Sequence, residues 1–178
     1  MIDIDWKTAG SLFINGDCME YMKTMPDKCV DLALVDPPYG IDFAKKYTGK
    51  GWTVRESKQW DKEIPERAYF DELFRISKNQ IIWGGNYFTE FLYPSPSWVF
   101  WDKGQRDFSL ADGELAWTSF DRALRVFELS RAKLNNTRSG FHPTEKPIAL
   151  YTWLLQNYAK RGDKILDTHV GSASSLIA

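Results

Sequence analysis

The chain of 178 residues is short of cysteine, of histidine and of net charge, and each shortage removes a class of protein from consideration. Two cysteines, Cys18 and Cys29, are too few for a disulfide framework and read as reduced thiols. No His/Cys cluster has the spacing of a metal site, so no metal is expected. No apolar run approaches the roughly 20 residues that a membrane span requires. The N-terminus, Met-Ile-Asp-Ile-Asp-Trp-Lys, lacks the basic and then apolar layout of a signal peptide, so a cytoplasmic protein is expected. A formal net charge of -1 gives no global attraction to nucleic acid, and any such binding must come from local basic patches. Neither a repeat nor a linker divides the chain, which reads as a single domain over 1–178.

What is present is 43% hydrophobic and 26% charged, enough to bury one sizeable core. Short apolar runs alternate with helical periodicity, the pattern of an α/β fold whose open, mostly parallel sheet carries helices on both faces. Leu12 to Ile14 reads as a short strand ending at Asn15-Gly16-Asp17, followed by a helical turn or two through Met25. Val30 to Val35 is apolar except for Asp31, as in a strand buried on both faces. Pro65 opens a helix in which Phe70, Leu73, Phe74 and Ser77 share a face. Further strands are expected at Gln80–Trp83, Ser97–Trp101, Glu114–Phe120, Leu124–Leu129 and Lys164–Asp167. Between the last two, a helix presents Ile148, Tyr151, Leu155 and Tyr158 on one side, and Gly162 ends it.

The most informative motif is Asp36-Pro37-Pro38-Tyr39, directly after the apolar run. Two prolines remove backbone donors and forbid both helix and central strand, which puts a loop at the carboxyl edge of the sheet. Ligands of open α/β sheets bind outside that edge. The exocyclic amine of a nucleic-acid base is a poor nucleophile, because its lone pair is delocalised into the ring. To attack a sulfonium methyl it needs acceptors for both N–H groups. The Asp36 carboxylate and the Pro37 carbonyl can supply that pair from a rigid loop. Tyr39 would stack on the base, which must leave the duplex to reach such a pocket. An Asp-Pro turn with a packed tyrosine is the plain alternative for these four residues.

A second motif runs from Ile165 to Ser175, a strand followed by a turn of small residues into a helix. Small residues let a ligand approach the backbone, and the helix start offers N–H groups to a carboxylate such as that of methionine; close helix–strand packing explains them equally well. Ala173 stands where a dinucleotide fingerprint would have its second glycine, which disfavours a nicotinamide-dependent oxidoreductase. His142-Pro143-Thr144-Glu145-Lys146-Pro147 is either an anion cradle or a sound helix entry. Two basic stretches, around Lys45, Lys46, Lys50, Arg55 and Lys58 and around Arg122, Arg125, Arg131, Lys133 and Arg138, suit nucleic acid or a solvated face.

With these three motifs in this order, and Asn15-Gly16-Asp17 ahead of them, the chain resembles the bacterial and phage DNA amino-methyltransferases of the permuted class called beta. The resemblance covers nearly the whole chain. It implies a circularly permuted, Rossmann-like methyltransferase fold, S-adenosylmethionine as cofactor and double-stranded DNA as partner, with a homodimer as one assembly. It makes Asp36, Pro37, Pro38 and Tyr39 the catalytic loop. It places Asp167, Gly171 and Ser172 against the methionine part of the cofactor, with Thr144 and Lys146 at its carboxylate and Asp17 near its adenine. Aspartate at the head of the tetrapeptide leans towards adenine N6 over cytosine N4, and Lys45, Lys46, Arg131, Lys133 and Arg138 are assigned to DNA.

The chain departs from the family at Thr168-His169, commonly Pro-Phe, and at Ala173, commonly glycine. It also ends at Ala178, within the helix after the cofactor turn. A βαβ unit needs on the order of 30 residues, so the next strand, which would carry the acid that grips the cofactor ribose, is expected to be lacking and the chain to be C-terminally truncated. The segment Ser130–Arg138 is short for a target-recognition region, and its Lys133, Asn135, Asn136 and Arg138 suit phosphate and base-edge contacts. A catalytically inactive DNA-binding remnant is the reading from a different class.

Overall fold

The computed structural model describes residues 12–41, 63–106, 111–130 and 145–178. Among them six strands form one sheet: β1 (Val30–Val35), β2 (Ser77–Trp83), β3 (Trp98–Asp102), β4 (Gly113–Thr118), β5 (Arg125–Glu128) and β6 (Ile165–Leu166). The described helices are α1 (Cys18–Met22), α2 (Arg67–Ile76), α3 (Ile148–Tyr158) and α4 (Ser174–Ile177). In space the strands lie in the order β5-β3-β4-β2-β1-β6. β1 pairs in parallel with β2 and β6, and β3 with β5, while β4 runs antiparallel to both β2 and β3. Residues 103–112 join β3 to β4 and are too few for a parallel crossover, which takes about a dozen or more. The strand after β3 therefore turns back, and five strands point one way with β4 opposed.

Side chains alternate across the sheet and fill two layers. On one face Ala33, Val35, Ile82 and Trp117 pack with Tyr69, Phe70, Leu73 and Ile76 of α2. On the other, Leu32, Leu34, Ile81, Trp83, Val99 and Trp101 meet Leu150, Tyr151, Leu154 and Tyr158 of α3. Each of the larger apolar side chains stabilises the fold by about 1.5–3 kcal/mol relative to leaving it in water. The Arg75 guanidinium ties the segment after α1 to α2, donating to the Met22 and Met25 carbonyls, to Asp27 and to Glu72.

Several expected boundaries move, each for a local reason. Leu12–Ile14 forms no strand, since no neighbouring strand pairs with it, and Leu12 and Phe13 are exposed. Ser77 does not extend the helical face. It is the first residue of β2, extended at φ -114°, ψ 147°, and its hydroxyl donates back to the Leu73 carbonyl. α3 buries Leu150 and Leu154 where Ile148 and Leu155 were expected, because a helix apolar nearly all round carries no clear face in its sequence. It ends at Tyr158, ahead of Gly162, which with φ +92° serves the following turn. The strands expected at Glu114–Phe120, Leu124–Leu129 and Lys164–Asp167 are shorter, at Gly113–Thr118, Arg125–Glu128 and Ile165–Leu166.

Candidate active site

The buried strand β1 releases the chain at Asp36, and the two prolines that follow hold the carboxylate at the carboxyl edge of the sheet. The Tyr39 hydroxyl donates to Asp36 Oδ1 at 2.6 Å. Its ring stacks on Tyr87, with centroids 5.1 Å apart and planes 15° from parallel, and meets the edge of Phe88. This is possible because Gly84 follows β2: a Cβ there would lie 2.2 Å from Tyr39 Cε1, and φ is +72°. Glycine is required on both counts.

The second Asp36 oxygen, Oδ2, accepts from Lys146 Nζ, whose side chain is only 4% exposed. Lys146 also lies 3.1 Å from the Tyr39 hydroxyl and 3.2 Å from Glu114 Oε2. The other Glu114 oxygen takes Lys103 Nζ at 2.5 Å. Charges thus alternate along the sheet edge from Asp36 through Lys146 and Glu114 to Lys103. Burial alone would lower the Lys146 pKa, but Asp36 and then Glu114 raise it above the ordinary lysine value and keep the ammonium. Burial would likewise raise Glu114, but Lys146 and Lys103 pull its pKa down to about 2. Burial and the Asp36 charge push Tyr39 well above the ordinary phenol value, so it remains a donor.

Next to β1, the two-residue β6 is followed at once by Asp167. Its Oδ1 accepts the His169 N–H at 2.9 Å and its Oδ2 the Ser175 hydroxyl at 2.5 Å, which closes the turn from strand to α4. Burial raises the Asp167 pKa, partly opposed by these two bonds. Thr168 Oγ1 shares a 2.7 Å bond with the Tyr69 hydroxyl and a 2.9 Å bond with His169 Nδ1. The His169 ring packs against Tyr69 edge-on, and burial lowers its pKa to about 4. Gly171 and Ala173 both adopt positive φ, +54° and +64°. A Cβ at Gly171 would meet only the His169 carbonyl oxygen, at 3.7 Å, so the turn leaves room at its glycine.

The structure therefore brings Asp36, Pro37, Pro38, Tyr39 and Lys146 together and sets Asp167, Gly171 and Ser172 in the turn after the adjacent strand β6. Lys146 contacts the tetrapeptide and Glu114. Asp17 caps α1, its Oδ1 accepting the Met19 N–H at 2.8 Å. Thr144, Lys45, Lys46, Arg131, Lys133 and Arg138 lie outside the described residues. Glu114, Lys103, Tyr69 and Tyr151 were missed in the sequence. Tyr151 faces the field of Asp36, Asp167 and Glu114, and burial followed by those carboxylates raises its pKa well above the usual phenol value. Glu114, an acid in the otherwise apolar β4, was the one available signal. Among the described residues no group of three or more His, Cys, Asp or Glu suits a metal ion, and no helix is long and apolar enough to cross a membrane.

No protein-family model matches the chain. It is 26% identical over 186 aligned positions to "Putative methylase YubD" of Escherichia coli K12, a match spanning 94% of this chain and 79% of that protein. Its fold matches that of TTHA0409, "Putative DNA Modification Methylase" of Thermus thermophilus. One TTHA0409 structure aligns with a TM-score of 0.52 at 14% identity over 91% of this chain and 81% of the other. A second, of TTHA0409 complexed with S-adenosyl-L-methionine, aligns with a TM-score of 0.51 at 16% identity over the same shares. The mixed, mostly parallel sheet between two helical layers is the Rossmann-like fold of the S-adenosylmethionine-dependent methyltransferases.

Proposed function

We propose that this chain is a DNA methyltransferase of the beta amino-methyltransferase class, moving a methyl group from S-adenosylmethionine to N6 of adenine in double-stranded DNA. The observation that carries the reading is the Asp36 carboxylate, held by a proline-fixed loop at the carboxyl edge of β1 beside the Asp167 turn of β6. The likeness to YubD and TTHA0409, the latter complexed with S-adenosyl-L-methionine, supports it.

S-adenosylmethionine supplies an electrophilic sulfonium methyl when bound. Asp167, Gly171 and Ser172 would hold it, where the open side of Gly171 fits a ligand, with Thr144 and Asp17 assigned to its two ends. The chain's own contribution to chemistry is at the amine. Asp36 and the Pro37 carbonyl accept its two N–H groups, which favours a tetrahedral nitrogen with its lone pair free to attack. Tyr39 offers a ring for the extruded base. Lys45, Lys46, Arg131, Lys133 and Arg138 would hold the phosphate backbone, whose contacts position without reading sequence.

The test is calorimetric titration with S-adenosylmethionine, followed by mass analysis of nucleosides from a methylated duplex. N6-methyladenine is the expected product. Asp36→Ala should abolish it while cofactor affinity stays within about twofold, since the carboxylate acts on the amine. N4-methylcytosine would reassign the target. DNA affinity without cofactor binding by the folded chain would overturn the enzymatic reading in favour of a DNA-binding remnant.

A further inference from the structure

Lys146 occupies the place that the reaction reserves for the base. Its nitrogen donates to Asp36 Oδ2, the Tyr39 hydroxyl covers Oδ1, and the ammonium lies 5.5 Å from the Tyr39 ring centroid. Both oxygens of the carboxylate are thus engaged by the protein itself. Each oxygen keeps a further lone pair, so an incoming amine competes with the Lys146 ammonium for Asp36 Oδ2 and bonds there most strongly when that ammonium draws away. The Lys146 side chain is 4% exposed, and a buried ammonium left without a counter-charge is strongly unfavourable.

We propose that Glu114 is a positioning residue that gives the Lys146 ammonium a second seat, so that its hold on Asp36 loosens when the amine of a target base arrives. This deepens, and rests on, the methyl-transfer reading above. Glu114 Oε2 already stands 3.2 Å from Lys146 Nζ, so a shift of roughly half an ångström reaches charge-assisted bonding distance to Glu114 and lengthens the bond to Asp36. Lys103, on the other Glu114 oxygen at 2.5 Å and 4.8 Å from the Trp101 ring centroid, anchors Glu114 and keeps it from following Lys146. No covalent bond changes. The ion pair of Lys146 with Asp36 lengthens as the pair with Glu114 shortens, and Asp36 gains an amine N–H in return.

The experiment uses the full chain as wild type, Glu114→Gln and Glu114→Asp. Titration of the Lys146 Cε signal by carbon-13 NMR needs no substrate. Methyl transfer to an adenine-containing duplex gives kcat and KM. Without the Glu114 charge the Lys146 midpoint should fall by on the order of one pH unit. In the same variant kcat should drop about tenfold, with KM for S-adenosylmethionine and duplex unchanged, because the amine must now compete with a lysine that has no other seat. Glu114→Asp should restore most of both, and it carries the test if Glu114→Gln does not fold. An unchanged midpoint in a folded variant overturns the proposal. So does a large loss of cofactor affinity in Lys146→Met, which would put the ammonium on the cofactor. A lowered midpoint in Glu114→Gln, with a wild-type chain that methylates no nucleic acid, overturns the methyl-transfer reading instead and leaves the shared lysine standing.

Discussion

Replacing Gly84 by alanine would put a methyl carbon into the ring of Tyr39. The added Cβ would lie 2.2, 2.5 and 2.8 Å from ring carbons Cε1, Cδ1 and Cζ. Carbon atoms separate to roughly 3.5 Å, so the ring must retreat by roughly 1.3 Å. A retreat of that size breaks the 2.6 Å bond from Tyr39 to Asp36 and disturbs the stack on Tyr87. Two costs add. The left-handed backbone at φ +72° costs alanine about 1–2 kcal/mol, and overpacking a filled site costs about 1–3 kcal/mol more. The expected loss is about 3 kcal/mol, which for a chain of this size lowers Tm by roughly 6–12 °C. A double-mutant cycle isolates the clash. In a Tyr39→Ala background the ring is gone and only the backbone cost remains, so urea unfolding of the four proteins should give a coupling of about 1–3 kcal/mol. Additive effects, with coupling below about 0.5 kcal/mol, would refute the claim that Gly84 exists to seat Tyr39.

The remaining predictions concern the turn after β6 and the charges beside it. Ala173→Gly should raise stability by about 0.5–1 kcal/mol in urea unfolding, because alanine is strained at φ +64°, less the greater freedom of glycine in the unfolded chain. Stability should fall as pH drops from about 6.5 to about 4, since the unfolded chain takes up the His169 proton that the fold, with a pKa near 4, refuses. Asp167, whose folded pKa is raised, works in the opposite sense and reduces the slope. Below about 4.5 a further loss follows, because Glu114, held down to about 2, stays ionised in the fold while the unfolded carboxyl protonates. Denaturation at stepped pH should show the first limb flattened in His169→Phe and the second in Glu114→Gln, and identical profiles in the variants would contradict both assignments.

Much of the candidate site was legible because its signals are local. Asp36-Pro37-Pro38-Tyr39 after an apolar run says by itself that a buried strand stops there, since proline allows nothing else. The α2 face of Phe70 and Leu73 was readable from a 3.6-residue period, and so was the small-residue turn after Asp167. The failures share a cause as well. Leu12–Ile14 has the composition of a strand, but a strand exists only where a partner's backbone lies alongside, and composition carries no record of the partner. In α3, whose residues are apolar nearly all round, which ones face the sheet is decided by how the helix lies on it.

Sequence alone thus determined the chemistry on offer: a carboxylate on a rigid loop, an aromatic beside it and a turn of small residues. Tertiary structure decided which charges meet. β4 runs antiparallel between β2 and β3, and that brings Glu114 to the edge where β1 leaves Asp36. Lys146, 110 residues from Asp36 along the chain, is then held between the two carboxylates. No local pattern encodes such a contact, because ion pairs inside a protein are set by where strands and loops converge, and that follows from the packing of the whole sheet.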